Sequence, residues 1–328
     1  MRRRDFMASV VVGAAVTWPR RTYAQQQPMP VVGVIDSTAP EVHPNLLRSF
    51  HQGLSETGYV DGRNVLIEYR WSDGQYDRAP QLAADLVRRQ VTVIATIDGS
   101  ASALAAKAAT STIPVVFRIG ADPIALGLVT NLNRPGDNVT GVTSLTVEVG
   151  QKRLEVLHEL VPAATVVAFL INPNAPFAET LSRDAHAAAH SFGLQLRVLQ
   201  ATTDRELSSV FANLPQLRVG GLVIGSDVFF NSRIEQLAAL TVRHALPAVY
   251  QYRAFVAAGG LMSYGGSLEE SYRLAGIYTG RVIKGEKPGD LPVQQSTKVE
   301  MFINLKTANA LGLTVPISLL GRADEVIE

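Results

Sequence analysis

The sequence predicts an α/β protein made of two similar doubly wound parallel-sheet lobes joined by a multi-strand hinge. Three observations carry this. Short β-branched runs alternate with stretches of helical period. The alternation runs once, then restarts near residue 165 in the same order. Glycine- and turn-rich segments stand where the chain would pass between the halves.

The elements follow in order. Val31–Asp36, Asn64–Arg70, Val91–Ile97 and Pro114–Ile119 read as buried strands. Between them run apolar stripes of helical spacing: Leu47, Phe50 and Leu54, then Ala79, Leu82, Ala83, Leu86 and Val87, then Ala101, Leu104, Ala105 and Ala108. Strands that alternate with helices in this way build a parallel sheet covered on both faces. The second pass gives strands over Thr165–Pro173, Leu194–Gln200, Val219–Gly225 and Pro247–Tyr252. Its helices are striped by Leu181, Ala185, Ala188 and Phe192, by Leu207, Val210, Phe211 and Leu214, and by Ile234, Leu237 and Ala238. A helix striped by Leu268, Tyr272, Ala275, Thr279 and Ile283 follows, stopped at Gly285–Gly289. The strand "KVEMFINL" and the short helix "KTANALG" finish the chain.

The halves align element by element: "NVLIEYRWSDGQYDRAPQLAADLVRRQVTVIATIDGS" on "LQLRVLQATTDRELSSVFANLPQLRVGGLVIGSDVFF", and "STIPVVF" on "RHALPAVYQ". Each unit is domain-sized, so this is a duplication and not a solenoid. Crossings are expected around 140–148, 258–266 and 290–298. That divides the chain into lobe 1 (30–143 and 263–288), lobe 2 (144–262 and 289–315) and a tail (316–328). Several crossings make a hinge that bends but resists twisting, one route to domain closure.

The chain opens "MRRRDFMASVVVGAAV". Positive residues, a short apolar run and the small residues of Thr22-Tyr23-Ala24 are the layout of an export signal over 1–24. The run is too short to span a bilayer, which takes ~20 residues. The paired arginines before Asp5-Phe6-Met7 resemble a twin-arginine (Tat) signal. A general secretory signal is the alternative, and both imply export. The chain has no cysteine, so a lipid anchor has no attachment point and disulfides are excluded. The expectation is a free, soluble periplasmic protein, stabilised by packing.

The whole chain holds 30 basic and 29 acidic residues. The leader takes five arginines and one aspartate, leaving 25 and 28 in a mature chain of 304 residues. That balance gives no basic footprint for nucleic acid. No Gly-x-Ser-x-Gly elbow, Walker loop or Gly-x-Gly-x-x-Gly fingerprint is present. No cofactor is expected. His186 and His190 have the spacing of a metal pair, but they lie on the solvated flank of a helix with no third ligand in view. No metal is expected either.

In open α/β sheets the ligand crevice lies at the carboxyl ends of the strands. The candidates are therefore the residues after each strand. Asp36 and Ser37 follow the first. Asp98, Gly99 and Ser100 follow the third at a helix start, where free N–H groups favour a carboxylate. Ser100 could equally be the N-cap of its own helix. Asp98 suits an ammonium group, so the cluster fits a zwitterion such as an amino acid. Arg118 and Asp122 follow the fourth strand; Arg118 could grip a carboxylate bidentately or pair with Asp122. In the second half, Asn172 and Asn174 follow the first strand, and Asp227 corresponds to Asp98. Tyr250, Tyr252 and Tyr264 could wall the cleft or pack in the core. Trp71 could stack on a ring or cover a surface edge.

The stretches "IPVVFRIGADPIALGLV", "NRPGDNVTGV", "FLINPNAP", "INLKTANALGLTVP" and "SLLGRADEVIE" resemble the substrate-binding proteins of ABC importers. These have the type I periplasmic-binding-protein fold, and the subgroup resembled is related to tryptophan- and tyrosine-binding components. The likeness covers nearly the whole mature chain. Members usually carry Thr-Asp-Pro where this chain has Ala121-Asp122-Pro123, which weakens any transfer of ligand identity. The resemblance implies a monomeric receptor that captures a small polar solute by hinge closure and delivers it to an ABC permease and its ATPase. Closure needs differential affinity and no chemistry, so no enzyme activity is expected. A ligand sensor for a signalling membrane partner, or an enzyme on a two-lobed scaffold, are the alternatives.

Overall fold

The structure is a computed structural model and describes residues 29–40, 44–144, 146–147, 149–296 and 298–328. The expected export signal over 1–24 lies outside them. In chain order the elements are β1 (Val31–Asp36), α1 (Pro44–Glu56), β2 (Leu66–Trp71), α2 (Ala79–Arg88), β3 (Val93–Thr96), α3 (Ser100–Ala109), β4 (Val115–Ile119) and β5 (Val139–Thr143). Then come α4 (Gly150–Leu160), β6 (Val166–Ile171), α5 (Ala178–Ser191), β7 (Gln195–Gln200), α6 (Asp204–Leu217), β8 (Leu222–Ile224), α7 (Val228–Asn231), α8 (Ile234–Arg243) and β9 (Ala248–Tyr250). The chain closes with α9 (Arg253–Ala257), β10 (Met262–Gly266), α10 (Leu268–Ile283), β11 (Gln294–Gln295), β12 (Val299–Asn304), α11 (Leu305–Ala310), α12 (Ile317–Leu320) and β13 (Glu325–Ile327).

Two sheets form, ordered β11-β5-β4-β3-β1-β2 and β13-β12-β10-β9-β8-β6-β7. Read from each first strand, both follow the doubly wound order 2-1-3-4-5. The strands are apolar on both faces because helices cover both. Val32 and Val34 enter one core cluster while Ile35 enters another; Ala168 and Leu170 likewise face away from Val167, Phe169 and Ile171. All pairings are parallel except β10 with β12. Among the described residues no helix is long and apolar enough to cross a membrane.

Three crossings join the sheets, after β5, after β10 and between β11 and β12. Two boundaries differ from expectation. Met262–Gly266, expected to open the return to lobe 1, is the fifth strand of the second sheet, paired with β9 through Met262–Val249. Its glycines serve close strand approach: a Cβ on Gly265 would lie 2.1 Å from the Gln251 carbonyl oxygen. The return starts with α10, which packs on α1 of the first lobe. Gln294–Gln295, expected in lobe 2, pairs with β5 of the first sheet. The expected tail is also structural, since Glu325–Ile327 adds an edge strand beside β12.

Candidate functional site

The strand ends of both sheets face one another across a cleft with about 410 Å³ of empty space, its mouth included. Asp98, Gly99, Ser100, Arg118 and Tyr76 line it from the first lobe, and Ser226, Asp227, Asn231 and Tyr252 from the second. Phe177 and Val147 add apolar wall.

The first-lobe half is built around Gly99. It is the N-cap of α3, with φ of 87°, in the left-handed region that suits glycine. A Cβ there would lie 2.5 Å from the Ser37 Oγ and 3.3 Å from Val228 of the other lobe. Ser100 is therefore the first helical residue and not the cap, and its buried Oγ has no hydrogen-bond partner. Ser37 lies behind the cleft lining; its hydroxyl donates to the Asp98 carbonyl at 2.6 Å and meets Ser102 at 2.9 Å.

Arg118 pairs with Asp98, not with Asp122. Its Nη1 lies 3.2 Å from the Asp98 carboxylate, and its Nε donates to Ser271 of α10 at 3.0 Å. Tyr272, also on α10, presents its ring 5.0 Å from the guanidinium carbon. The helix that returns from the second lobe thus aims Arg118. The remaining Nη2 is buried and unpartnered. Burial pushes the Asp98 carboxyl up to about 6; Arg118 opposes the rise and Asp227 adds to it.

In the second lobe Asp227 caps α7, accepting from the Phe229 N–H at 2.9 Å. Asn172 donates to the same oxygen at 2.9 Å. The other oxygen accepts from the Tyr76 hydroxyl of the first lobe. Burial pushes Asp227 up to about 6 as well, while Tyr76 and Asn172 favour its charged form. Ser226 and the crossing before α4 are held by Arg153, which is fully buried and donates to Ser226 Oγ and the Thr146 carbonyl.

The other candidates fall elsewhere. Asp36 folds back on Thr38, accepting from its N–H and hydroxyl. Asp122 caps its own turn at Ile124. Asn174 is exposed and gives only its backbone N–H to Asn172. Tyr250 is fully buried in the second-lobe core against Thr241 and Phe255. Tyr264 packs half-buried on that lobe's core. Trp71 stacks on Tyr69 at 5.4 Å along the edge strand β2. His186 and His190 are both exposed, and no cluster suited to a metal occurs among the described residues.

Sequence reasoning missed Tyr76 and Asn231. Tyr76 sits in a single 3₁₀ turn after β2, in "DGQYDR", where no periodicity marks it. Asn231 ends the four-residue α7, which the sequence reading did not separate from its neighbours.

A two-lobed sheet protein with a polar cleft at its strand ends has the architecture of proteins that hold a small molecule between their lobes. Residues 38–327 match the family described as ABC transporter substrate binding protein, and the chain belongs to that family. Its members bind and do not catalyse. A Clostridioides difficile protein named tyrosine-binding protein is 26% identical over 275 residues, 83% of this chain and 78% of that one. Among solved structures, an ABC domain from Streptococcus pneumonia in complex with L-Trp superposes with TM-score 0.81 at 26% identity, covering 91% of this chain and 99% of that one. A conserved domain protein from Vibrio cholerae superposes with TM-score 0.82 at 25% identity and the same coverage.

Proposed function

We propose that this chain is the solute receptor of an ABC importer and that its solute is an α-amino acid with an aromatic side chain. One observation carries the reading: two buried carboxylates, one from each lobe, line one cleft with a guanidinium that is paired to the first of them and whose Nη2 makes no hydrogen bond. Asp98 and Asp227 suit an ammonium group. Arg118 Nη2, the Ser100 hydroxyl and the N-terminus of α3 suit a carboxylate. Tyr76, Tyr252 and Phe177 supply aromatic wall. The names of the two relatives, tyrosine-binding and L-Trp-bound, support the aromatic class. Export by the leader would place the receptor in the periplasm, beside the membrane permease and ATPase that receive the solute.

Isothermal titration of the purified chain against tyrosine, tryptophan, phenylalanine and leucine, with their amides and N-acetyl derivatives, tests this. One-to-one binding of the aromatic amino acids, lost on blocking either charged group, is expected. Binding that ignores both blocks, or no binding of any free amino acid, overturns it.

A further inference from the structure

Asn231 reaches the cleft from the end of α7, in the second lobe, and is itself only 7% exposed. Its side-chain oxygen accepts from the Gln251 amide nitrogen at 2.6 Å. Gln251 is fully buried and stands behind the cleft lining. The Asn231 Nδ2 makes no hydrogen bond and is not among the fully buried polar atoms, so it keeps surface on the cleft. An amide whose oxygen is taken from behind presents its two N–H donors in front.

Two senses are open to this amide pair, and they are not equal. With both amides turned over, Gln251 would bury a nitrogen with both N–H groups unpaired, because the place its oxygen fills has no partner. As it stands, one N–H is paired and a carbonyl oxygen goes without, which folded proteins tolerate better. Burial of Gln251 thus fixes the sense of Asn231. The neighbouring second-lobe lining offers no equivalent. The Ser226 hydroxyl hydrogen is spent on the Thr146 carbonyl at 3.2 Å, and an ionised Asp227 only accepts. The chain that carries Gln251 continues into Tyr252, which lines the cleft and lies beside the Arg118 guanidinium. One short segment therefore anchors Asn231 and reaches Arg118.

We infer that Asn231 is a specificity-determining residue whose Nδ2 donates to the acid group of the solute, and that Gln251 is the positioning residue that keeps those donors turned outward. This deepens the amino-acid reading and rests on it for the acid group. The acid is then held from both lobes: by Arg118 Nη2 and the Ser100 hydroxyl from the first, and by a neutral amide from the second. The second-lobe contact is made only on closure, so it favours the closed form for an acid over an amine of the same shape.

L-Tyrosine and tyramine, which lacks the carboxylate, are titrated by calorimetry into the full chain and into Asn231→Leu, Asn231→Asp and Gln251→Met. Asn231→Leu weakens tyrosine about tenfold, as for one lost hydrogen bond to a charged group, and leaves tyramine unchanged. Asn231→Asp sets a carboxylate against the acid and weakens tyrosine about a hundredfold, while tyramine does not weaken. Gln251→Met lowers the ratio of tyrosine to tyramine affinity and adds nothing on top of Asn231→Leu. Should tyramine bind too weakly to titrate, that non-additivity decides, and additive losses overturn the inference. Equal losses for both probes, or tyrosine binding indifferent to Asn231→Leu, overturn it and leave the amino-acid reading standing. Binding of no amino acid by the parent chain overturns that reading, and the acid contact with it. Circular dichroism checks each fold. If Gln251→Met does not fold, NMR coupling across the hydrogen bond in the solute-free chain judges its role: it runs from Gln251 Nε2 to the Asn231 side-chain carbonyl, and the reverse sense overturns the inference.

Discussion

Asp98 and Asp227 stand after corresponding strands of the two lobes, and their surroundings differ. Asp98 is met by a full positive charge from its own lobe, Arg118, which α10 holds in place. Asp227 is met by neutral donors: Asn172 and a backbone N–H from its own lobe, and Tyr76 from the other. Both carboxyls are pushed up to about 6 by burial, yet one environment is complete within a lobe and the other draws on its neighbour. The duplication therefore repeats the scaffold and not the chemistry. One half of the cleft is preformed, and the other gains a donor only when the lobes meet.

The sharpest break of this contrast is Arg118→Met. It leaves Asp98 buried without its counter-charge, a change of about 3–5 kcal/mol in unfolding free energy. Urea unfolding at neutral pH measures it, and adding Asp98→Asn should recover much of the loss. Removal of a neutral donor to Asp227, as in Asn172→Ala, should cost less than half as much. Equal losses would show that the two sites are balanced alike.

A second test uses titration. An unfolded aspartate titrates near 3.9, whereas Asp227 in the folded chain titrates at about 6. Between these values the folded state holds a proton that the unfolded state has lost, so stability falls as pH rises through the window. Above pH 6 the penalty is fully present. Asp227→Asn removes it, raising stability at pH 7 by about 3 kcal/mol and leaving pH 4 nearly unchanged. Solute affinity should run the other way in the parent, weakening as pH drops through about 6, because a protonated carboxyl no longer attracts an ammonium. Denaturation and titration calorimetry from pH 4 to 8 show whether the trends oppose.

Much of this site was legible in the sequence, and the limits are physical. The alternating periods gave the two sheets because buried parallel strands and amphipathic helices leave strong periodic signals. Asp98, Arg118 and Asp227 could be found because strand ends are where such folds put ligands. Tyr250 misled because the last residue of a strand and a residue two positions beyond it look alike in sequence; Tyr250 satisfies its hydroxyl on Thr241 inside the core, and Tyr252 reaches the cleft. The lobe boundary expected between 262 and 263 misled because glycine, as in Gly265-Gly266, signals both a turn and a close backbone approach, and here the approach prevails. The Arg118–Asp98 pair and the Tyr76–Asp227 contact join residues 20 and 151 positions apart, beyond any local pattern.

Tyr76→Phe is the mildest change and isolates the cross-lobe bond. It removes one hydroxyl and keeps the ring in the cleft wall. Only the form with lobes together contains the bond, so its loss should shift the open–closed balance toward open by about 1 kcal/mol, roughly fivefold. Each separated lobe keeps its own hydrogen bonds, so urea unfolding should move little. An inter-lobe fluorescence distance in the solute-free chain reads the balance directly. If the distance distribution is unchanged, Tyr76 merely fills space and the second lobe's carboxylate is as self-sufficient as the first. If it shifts toward open while unfolding stays put, the asymmetry between the two aspartates is what couples the cleft to the hinge.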